Sequence, residues 1–169
     1  MRVALLLRGV NVGGVTVRSA DLRELLVEAG LDDVVTVLGS GNAVVTAADA
    51  SAAAGVAETA LERRNGRRIR VLGIAIDDLE RLVAAYPHEE DDDHTPYVVL
   101  ELEAGVAEEL AQLEPGPGEA VAPGEGVIHW SNPTGTTLTS PFARALERSA
   151  EDRVTTRRLR TLRKALAAA

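Results

Sequence analysis

Cysteine is absent from this 169-residue sequence, and only 2% of its residues are aromatic. The missing thiols exclude disulfides, cysteine-ligated zinc or iron–sulfur sites and thiol catalysis, and they fit a reducing cytoplasm. RNA readers built on sheets stack bases on several exposed rings, so the few aromatic residues weaken that interpretation. The aromatic residues are Tyr86, Tyr97, Trp130 and Phe142.

No long apolar run is found at the N-terminus either. The apolar segment 3–7 ends at Arg8, which makes it too short for a targeting signal or a membrane span. With 46% hydrophobic and 26% charged residues, the composition is that of an ordinary globular protein. A chain of this length buries roughly 70% of the surface that its unfolded form exposes, enough for one domain or two small ones.

The charge is acidic overall but uneven along the chain. The formal net charge of −8 disfavours nonspecific nucleic-acid binding. An acidic run occupies residues 89–93, while basic residues are concentrated in 153–164. We therefore expect no nucleic-acid or membrane partner, although a local basic surface remains near the C-terminus.

The first half of the chain predicts a βαββαβ unit. Residues 3–7 are typical of a buried strand, and apolar residues at helical spacing follow the predicted cap Ser19 until Gly30. Glycines separate two further strands, and Asn65-Gly66 ends a second helix. This order is that of a ferredoxin-like unit. The later elements are strands at 34–38 and 43–46, a helix at about 50–64 and a strand at 69–76.

The second half partly repeats this order. Its predicted elements are helices at 79–85 and 106–113, strands at 97–103, 119–122 and 127–130, a helix that begins at Ser140-Pro141, and a last helix that begins at Thr155 or Thr156. The predicted fold is α+β, with two ferredoxin-like subdomains over 1–76 and 77–169, adjoining antiparallel sheets and a C-terminal helix.

Two glycine-rich segments, 8–14 and 39–42, are the strongest candidates for a binding site. In a βαββαβ unit the loop after the first strand and the turn after the second emerge at the same end. Glycines let a ligand approach backbone N–H groups, and a nearby helix N-terminus favours an anion. The candidate ligand-binding residues here are Arg8, Asn11, Gly13, Gly14, Ser40, Gly41 and Asn42.

A purely structural interpretation of these segments is also open. The glycines would then only permit tight turns, with Asn11 and Asn42 in left-handed conformations and Arg8 in an ion pair. The spacing of the glycines matches neither the dinucleotide fingerprint nor the phosphate loop. Ser40 lacks the flanking glycines of a nucleophile elbow, so a serine hydrolase is disfavoured.

Several motifs together resemble a bacterial family of unknown function, domain of unknown function 1697. They are Leu6-Leu7-Arg8-Gly9-Val10-Asn11-Val12-Gly13-Gly14, Ser40-Gly41-Asn42, Ala84-Ala85-Tyr86-Pro87, Trp130-Ser131-Asn132-Pro133-Thr134-Gly135 and the tail Thr155-Thr156-Arg157 to Thr161-Leu162-Arg163-Lys164. The resemblance implies paired ferredoxin-like subdomains with joined sheets and no established activity. It adds Arg157 and Lys164 to the candidate ligand-binding residues. Gly39, Arg158, Leu159 and Arg160 depart from the family pattern.

Three other features have both a functional and a structural interpretation. Residues 88–94 offer potential metal ligands, but we favour an acidic connector and assign no metal site. His129, on a predicted strand, is expected to be a packed or surface residue. The predicted last helix places Arg157, Arg160 and Lys164 on one basic stripe, which either contacts phosphate or neutralises the acidic body of the protein.

The sequence therefore predicts a cytoplasmic, non-catalytic module that binds a small anion, such as a nucleotide or phosphometabolite, at 8–14 and 39–42. One alternative is a phosphoryl- or nucleotidyl-transfer enzyme, although neither glycine segment carries a carboxylate for magnesium. Another is a protein or nucleic-acid interaction module that uses the basic C-terminal helix. Catalysis, cofactor and oligomeric state stay open at this stage.

Overall fold

The computed structural model describes residues 1–11, 14–39 and 41–169, which form two compact units. One unit comprises Met1–Arg81 with Thr161–Ala169, and the other comprises Leu82–Arg160. The boundary expected from the sequence lies between 76 and 77 and leaves the whole C-terminus in the second subdomain. In the structure the last residues group with the first unit, where Nη2 of Arg2 donates to the carbonyl of Ala168 at 3.4 Å.

The first unit has the predicted βαββαβ order. Its elements are β1 (Arg2–Leu7), α1 (Ser19–Glu28), β2 (Asp32–Thr36), β3 (Asn42–Thr46), α2 (Ala50–Asn65) and β4 (Val71–Ala75). The strands form an antiparallel sheet in the order β2-β3-β1-β4. This is the strand order of a ferredoxin-like unit, with both helices on one face.

The core of the first unit lies between this sheet and its two helices. Alternate β1 residues, Val3, Leu5 and Leu7, pack in it with Leu22 of α1 and Leu61 of α2. The period of two in the strand and the helical spacing in α1 place these apolar side chains on facing surfaces. The predicted cap Ser19 is wrong: Arg18 occupies the N-cap position without a side-chain cap, and Ser19 is the first helical residue.

The second unit repeats the architecture of the first. After α3 (Ile76–Ala84), its elements are β5 (His94–Glu101), α4 (Val106–Leu110), β6 (Ala120–Gly124), β7 (Val127–Pro133), α5 (Pro141–Ala150) and β8 (Val154–Arg158). The last helix, α6 (Leu159–Ala167), lies mostly in the first unit. The sheet order is β6-β7-β5-β8, again antiparallel. The core includes Tyr97, Trp130, Phe142 and Leu146. The α+β fold with two four-stranded antiparallel sheets and a C-terminal helix is confirmed.

The start of the last helix was predicted wrongly. Residues 154–158 form β8, and α6 begins only at Leu159. Thr155 pairs with Leu100 of β5, and Arg157 pairs with Val98. This pairing satisfies the backbone hydrogen-bonding groups of β8 across the sheet. The helical spacing of the neighbouring leucines does not reveal such a pairing.

Within the described part of the chain, no helix combines the length and apolar character that crossing a bilayer requires.

Candidate functional site

The two glycine-rich segments of the first unit contact each other. The amide of Leu7 donates to the carbonyl of Gly41 at 2.8 Å, and the amide of Arg8 donates to the carbonyl of Arg70 at 2.9 Å. Gly41 has φ +68°, and a Cβ there would overlap the side chain of Val10. The prediction that both segments emerge at one end of the sheet is therefore confirmed.

At Gly9 and Gly14 the backbone at this end of the unit is accessible to solvent. Their φ values are +67° and +123°, which favour glycine, and a Cβ added at either would meet nothing within 4 Å. Both residues are exposed. Chain conformation requires these glycines, and the space beside them is accessible to a ligand. Gly13 and Ser40, two of the predicted ligand-binding residues, lie outside the described residues.

Asn11 has a structural role in the first glycine segment. It adopts the predicted left-handed conformation, with φ 59°. Its Oδ1 accepts from the amide of Val17 at 2.9 Å, and its Nδ2 donates to the carbonyl of Val17 at 3.3 Å. These two bonds link Asn11 to Val17 ahead of α1, and the exposed amide group keeps one N–H and one lone pair for a ligand.

Asn42 is also part of the scaffold. It is only 2% exposed, and its Nδ2 donates to the carbonyl of Val37 at 3.4 Å. The predicted left-handed conformation is wrong, because Asn42 begins β3 and pairs with Leu6 of β1. Leu38 adopts a left-handed conformation instead, with φ 52°. Leu38 is 46% exposed, so the hairpin places a strained apolar residue at the surface next to Gly39.

Arg8 and Arg70 are cross-strand neighbours at this end of the sheet. They follow the pair Leu7 and Val71, whose side chains belong to the core beneath the helices. Because side chains alternate along strands, Arg8 and Arg70 point to the other face. Opposite residues have Cβ atoms roughly 5 Å apart, so the side chains of Arg8 and Arg70 leave the backbone at adjacent positions, with Gly9 next to Arg8 in the chain. Both side chains are half-buried, and both take part in further interactions.

The N-terminus of α1 lies near the second glycine segment. A Cβ added at Gly39 would lie 3.9 Å from Oγ of Ser19, the first residue of α1. The unsatisfied N–H groups of a helix N-terminus attract anions. Arg18, the N-cap residue, is exposed here and makes no side-chain cap, so a further cation accompanies this helix end.

Arg157 and Lys164 do not share an element with these loops or with each other. Arg157 lies on β8 in the second unit, where its Nη1 donates to Oγ1 of Thr155 at 2.8 Å and to the carbonyl of Thr156 at 2.9 Å. Burial lowers the pKa of Arg157 to about 10. Lys164 is exposed on α6. The predicted basic stripe of Arg157, Arg160 and Lys164 on one helix is therefore wrong, because Arg157 is in a strand.

His129 of the second unit packs against Tyr86 and His88, and the sequence predicted only a packed or surface position for His129. His129 is 3% exposed, in agreement with the expectation of a packed or surface residue. Its ring meets that of Tyr86 edge-on at 5.5 Å, and Nε2 of His88 lies 3.0 Å from its carbonyl oxygen. Burial, and to a lesser degree the charge of His88, lowers the pKa of His129. Burial also raises the pKa of Tyr86 to about 12.

The acidic connector 88–94 forms local contacts. Oδ1 of Asp91 lies 2.9 Å from Nδ1 of His94 and accepts from the amide of Asp93 at 2.9 Å. The hydrogen bond from His94 lowers the pKa of Asp91, and the same bond raises the pKa of His94. Among the residues that the structure describes, no three His, Asp or Glu side chains are grouped so that they could hold a metal ion.

Comparison with known proteins identifies the family and confirms the fold. The chain is similar over 98% of its length to a solved structure, the conserved bacterial protein SP0830 from Streptococcus pneumoniae, with a TM-score of 0.77, 24% identity and 96% of that chain covered. No curated protein matches significantly. The model of the family described as "Protein of unknown function (DUF1697)" matches residues 1–129. The resembling segments at 130–135 and 155–164 lie beyond that range. The chain therefore belongs to the DUF1697 family of proteins of unknown function.

Proposed function

We propose that this protein is a non-catalytic module that binds a small anionic ligand, a nucleotide or a phosphorylated metabolite, at the glycine-rich end of the first unit. The observation that carries the proposal is the pairing of Arg8 with Arg70 beside the open backbone of Gly9. Arginine donates charge-assisted hydrogen bonds to phosphate and carboxylate groups, and glycine lets such a ligand approach the backbone. We place this function in the cytoplasm, consistent with the absence of cysteine.

Three features of the described residues define how the anion is held. Arg8 and Arg70 provide the charge, Gly9 lets the backbone approach the ligand, and the N-terminus of α1 lies near the second glycine segment. Asn11 and Asn42 shape the site through their backbone partners. These bonds hold the two segments in place, and the assignment of Asn11 and Asn42 as ligand contacts stays a prediction.

Binding is favoured over transfer chemistry by the sequence of the two glycine segments. Neither 8–14 nor 39–42 contains an aspartate or glutamate, and phosphoryl transfer depends on carboxylates that hold magnesium near the phosphates. Nucleic-acid binding through a basic terminal helix loses its main support, because Arg157 is not on that helix. The net charge of −8 also opposes it.

Calorimetric titration with a panel of nucleotides and phosphometabolites tests the proposal. We expect a member of the panel to bind the parent protein, and Arg8→Ala to weaken that binding at least about tenfold, since charge-assisted hydrogen bonds are lost. Arg148→Ala is the matched control, because Arg148 is an exposed arginine on α5 in the other unit. Absence of binding across the panel, or equal affinity of Arg8→Ala and the control, would contradict the proposed function.

A further inference from the structure

A second surface of the first unit lies on the opposite side of the helices from the sheet. A groove of about 950 Å³ runs between α1 and α2. Its central lining consists of Leu25 from α1 with Ala52, Gly55, Val56, Thr59 and Ala60 from α2. These α2 positions are spaced three and four residues apart, so they form one face of the helix. This face is uncharged over two turns, although 26% of the sequence is charged.

Gly55 has no role within the described chain that requires glycine. It lies in the interior of α2 with an ordinary helical backbone, and a Cβ added there would meet nothing within 4 Å. Glycine is the poorest helix former after proline, so this position lowers the stability of α2. Gly73 differs, because a Cβ there would overlap the backbone of Ala50. A surface that approaches α2 from outside would supply the packing reason that Gly55 otherwise lacks.

The two ends of the groove carry opposite charges. β1 and β3 are antiparallel, and each is followed by a helix that returns along the sheet, so α1 and α2 are antiparallel as well. The C-terminal end of α1, with Glu28, therefore lies beside the N-terminal end of α2, with Ala52. Arg63 and Arg64 lie eleven or more residues further along α2, roughly 16 Å away. Glu28, Arg63 and Arg64 are all exposed.

We propose that this groove is a homodimer interface, in which α2 of a second copy packs antiparallel against α2 across a two-fold axis near Val56 and Thr59. A two-fold axis brings the acidic end of each groove to the basic end of the other. Glu28 of each copy then pairs with Arg63 and Arg64 of its partner, twice per dimer. The small side chains around Gly55 let the two helices approach closely.

A second copy fits this surface better than an unrelated partner, because the charge pattern is complementary to itself. An acidic or a basic partner helix would match one end of the groove and be repelled at the other. A contact of two helices buries less than a standard interface of about 1,600 Å², so we expect a reversible dimer with a dissociation constant in the micromolar range or weaker.

Analytical ultracentrifugation of the full chain tests the dimer directly. Between about 1 μM and about 1 mM we expect the average mass to rise from the 17.8 kDa of one chain towards twice that value. Gly55→Leu should keep the protein monomeric over this range, because the added side chain separates the helices. Arg23→Leu, at an exposed position of α1 that does not line the groove, is the matched control. A monomeric parent protein, or equal dimerisation of the two variants, overturns the proposal.

A charge exchange tests the antiparallel arrangement without a bulky substitution. Glu28→Arg alone, and Arg63→Glu with Arg64→Glu, should each raise the dissociation constant about threefold to tenfold. The combined triple variant should restore the affinity of the parent protein, an outcome that damage to the fold does not produce. Arg23→Glu, on the side of α1 away from Glu28, is the control and should leave dimerisation unchanged. Failure of the triple variant to recover overturns the proposed pairing.

Discussion

Ser140 donates a hydrogen bond to Oε1 of Glu119, a residue 21 positions earlier in the chain. The same carboxylate accepts from the amide of Gly116 at 2.6 Å, from Nε1 of Trp130 at 3.3 Å and from the amide of Phe142 at 3.3 Å. One side chain therefore connects the turn before β6, the buried tryptophan of β7 and the N-terminus of α5. A carboxylate at a helix N-terminus is also favoured by the helix dipole.

We predict that Glu119→Ala lowers the free energy of unfolding by about 2 to 3 kcal/mol, because it leaves several buried donors without their charged acceptor. Urea denaturation measures the change. Glu125→Ala, at an exposed turn position, is the control and should change the free energy by less than about 0.5 kcal/mol. Equal stability of the two variants would show that the Glu119 contacts contribute nothing to the fold.

The stability of the protein should fall in mild acid because of His129. Its pKa is lower in the folded state than the usual value of 6.5, so the unfolded chain binds the proton more readily. Stability attributable to His129 is therefore complete well above pH 6.5 and is lost as the pH falls through 6.5 towards the folded-state pKa. Denaturation curves between about pH 5 and pH 8 measure this loss. We expect His129→Gln to flatten the dependence in this window, and an unchanged slope would contradict the assignment.

Gly73 and Gly55 should respond to alanine in opposite directions. A Cβ at Gly73 would overlap the backbone of Ala50, so Gly73→Ala should destabilise the protein by about 1 to 3 kcal/mol. A Cβ at Gly55 meets open space on a helix, so Gly55→Ala should stabilise the monomer by up to about 1 kcal/mol. Urea denaturation at low protein concentration separates these effects from dimerisation. Destabilisation by Gly55→Ala would reveal a constraint on α2 within the chain.

Asn11 should control the order of the loop before α1. Asn11→Ala removes two hydrogen bonds to Val17 and places a residue with Cβ but no polar group at φ 59°. We expect a loss of about 1 to 2 kcal/mol and faster hydrogen exchange at the amide of Val17. Asn11→Asp keeps the acceptor for that amide and should retain most of its protection. Equal protection in the parent protein and Asn11→Ala would contradict this role.

The regular elements of the first unit were largely predictable, whereas β8 was not. A short continuous apolar run marks β1, and helical spacing marks α1, so local patterns suffice there. Residues 154–158 carry two threonines and two arginines, and the leucines that follow at helical spacing favour an earlier helix start. The strand forms because Thr155 and Arg157 pair with Leu100 and Val98, which lie 55 and 59 residues earlier in the chain. The β-branched residues Val154, Thr155 and Thr156 are the local signal for this strand, and the helical spacing of the following leucines outweighed it in the prediction.

In the candidate site, too, some features follow from local sequence patterns and others only from long-range strand pairing. The convergence of the two glycine segments follows from the topology of the unit and was predicted. The left-handed conformation of Asn11 agrees with the structural interpretation of these segments, but the burial of Asn42 was not predicted. Asn42 was assigned to a turn, and its burial within β3 depends on the register with Leu6. Arg70 was missed, because only the register of β4 against β1 places it opposite Arg8.

The sequence by itself determined the α+β class, the βαββαβ order of the first unit and the end of the sheet at which its glycines lie. The class and the element order follow from short-range hydrophobic periodicity, which can be read from the sequence. The position of the glycines follows from the direction in which the chain enters and leaves each strand. Tertiary structure alone decided which cations are neighbours, which asparagines are used by the backbone and where the last helix begins. Each of these depends on strand register, and register is fixed by the combined burial of distant segments.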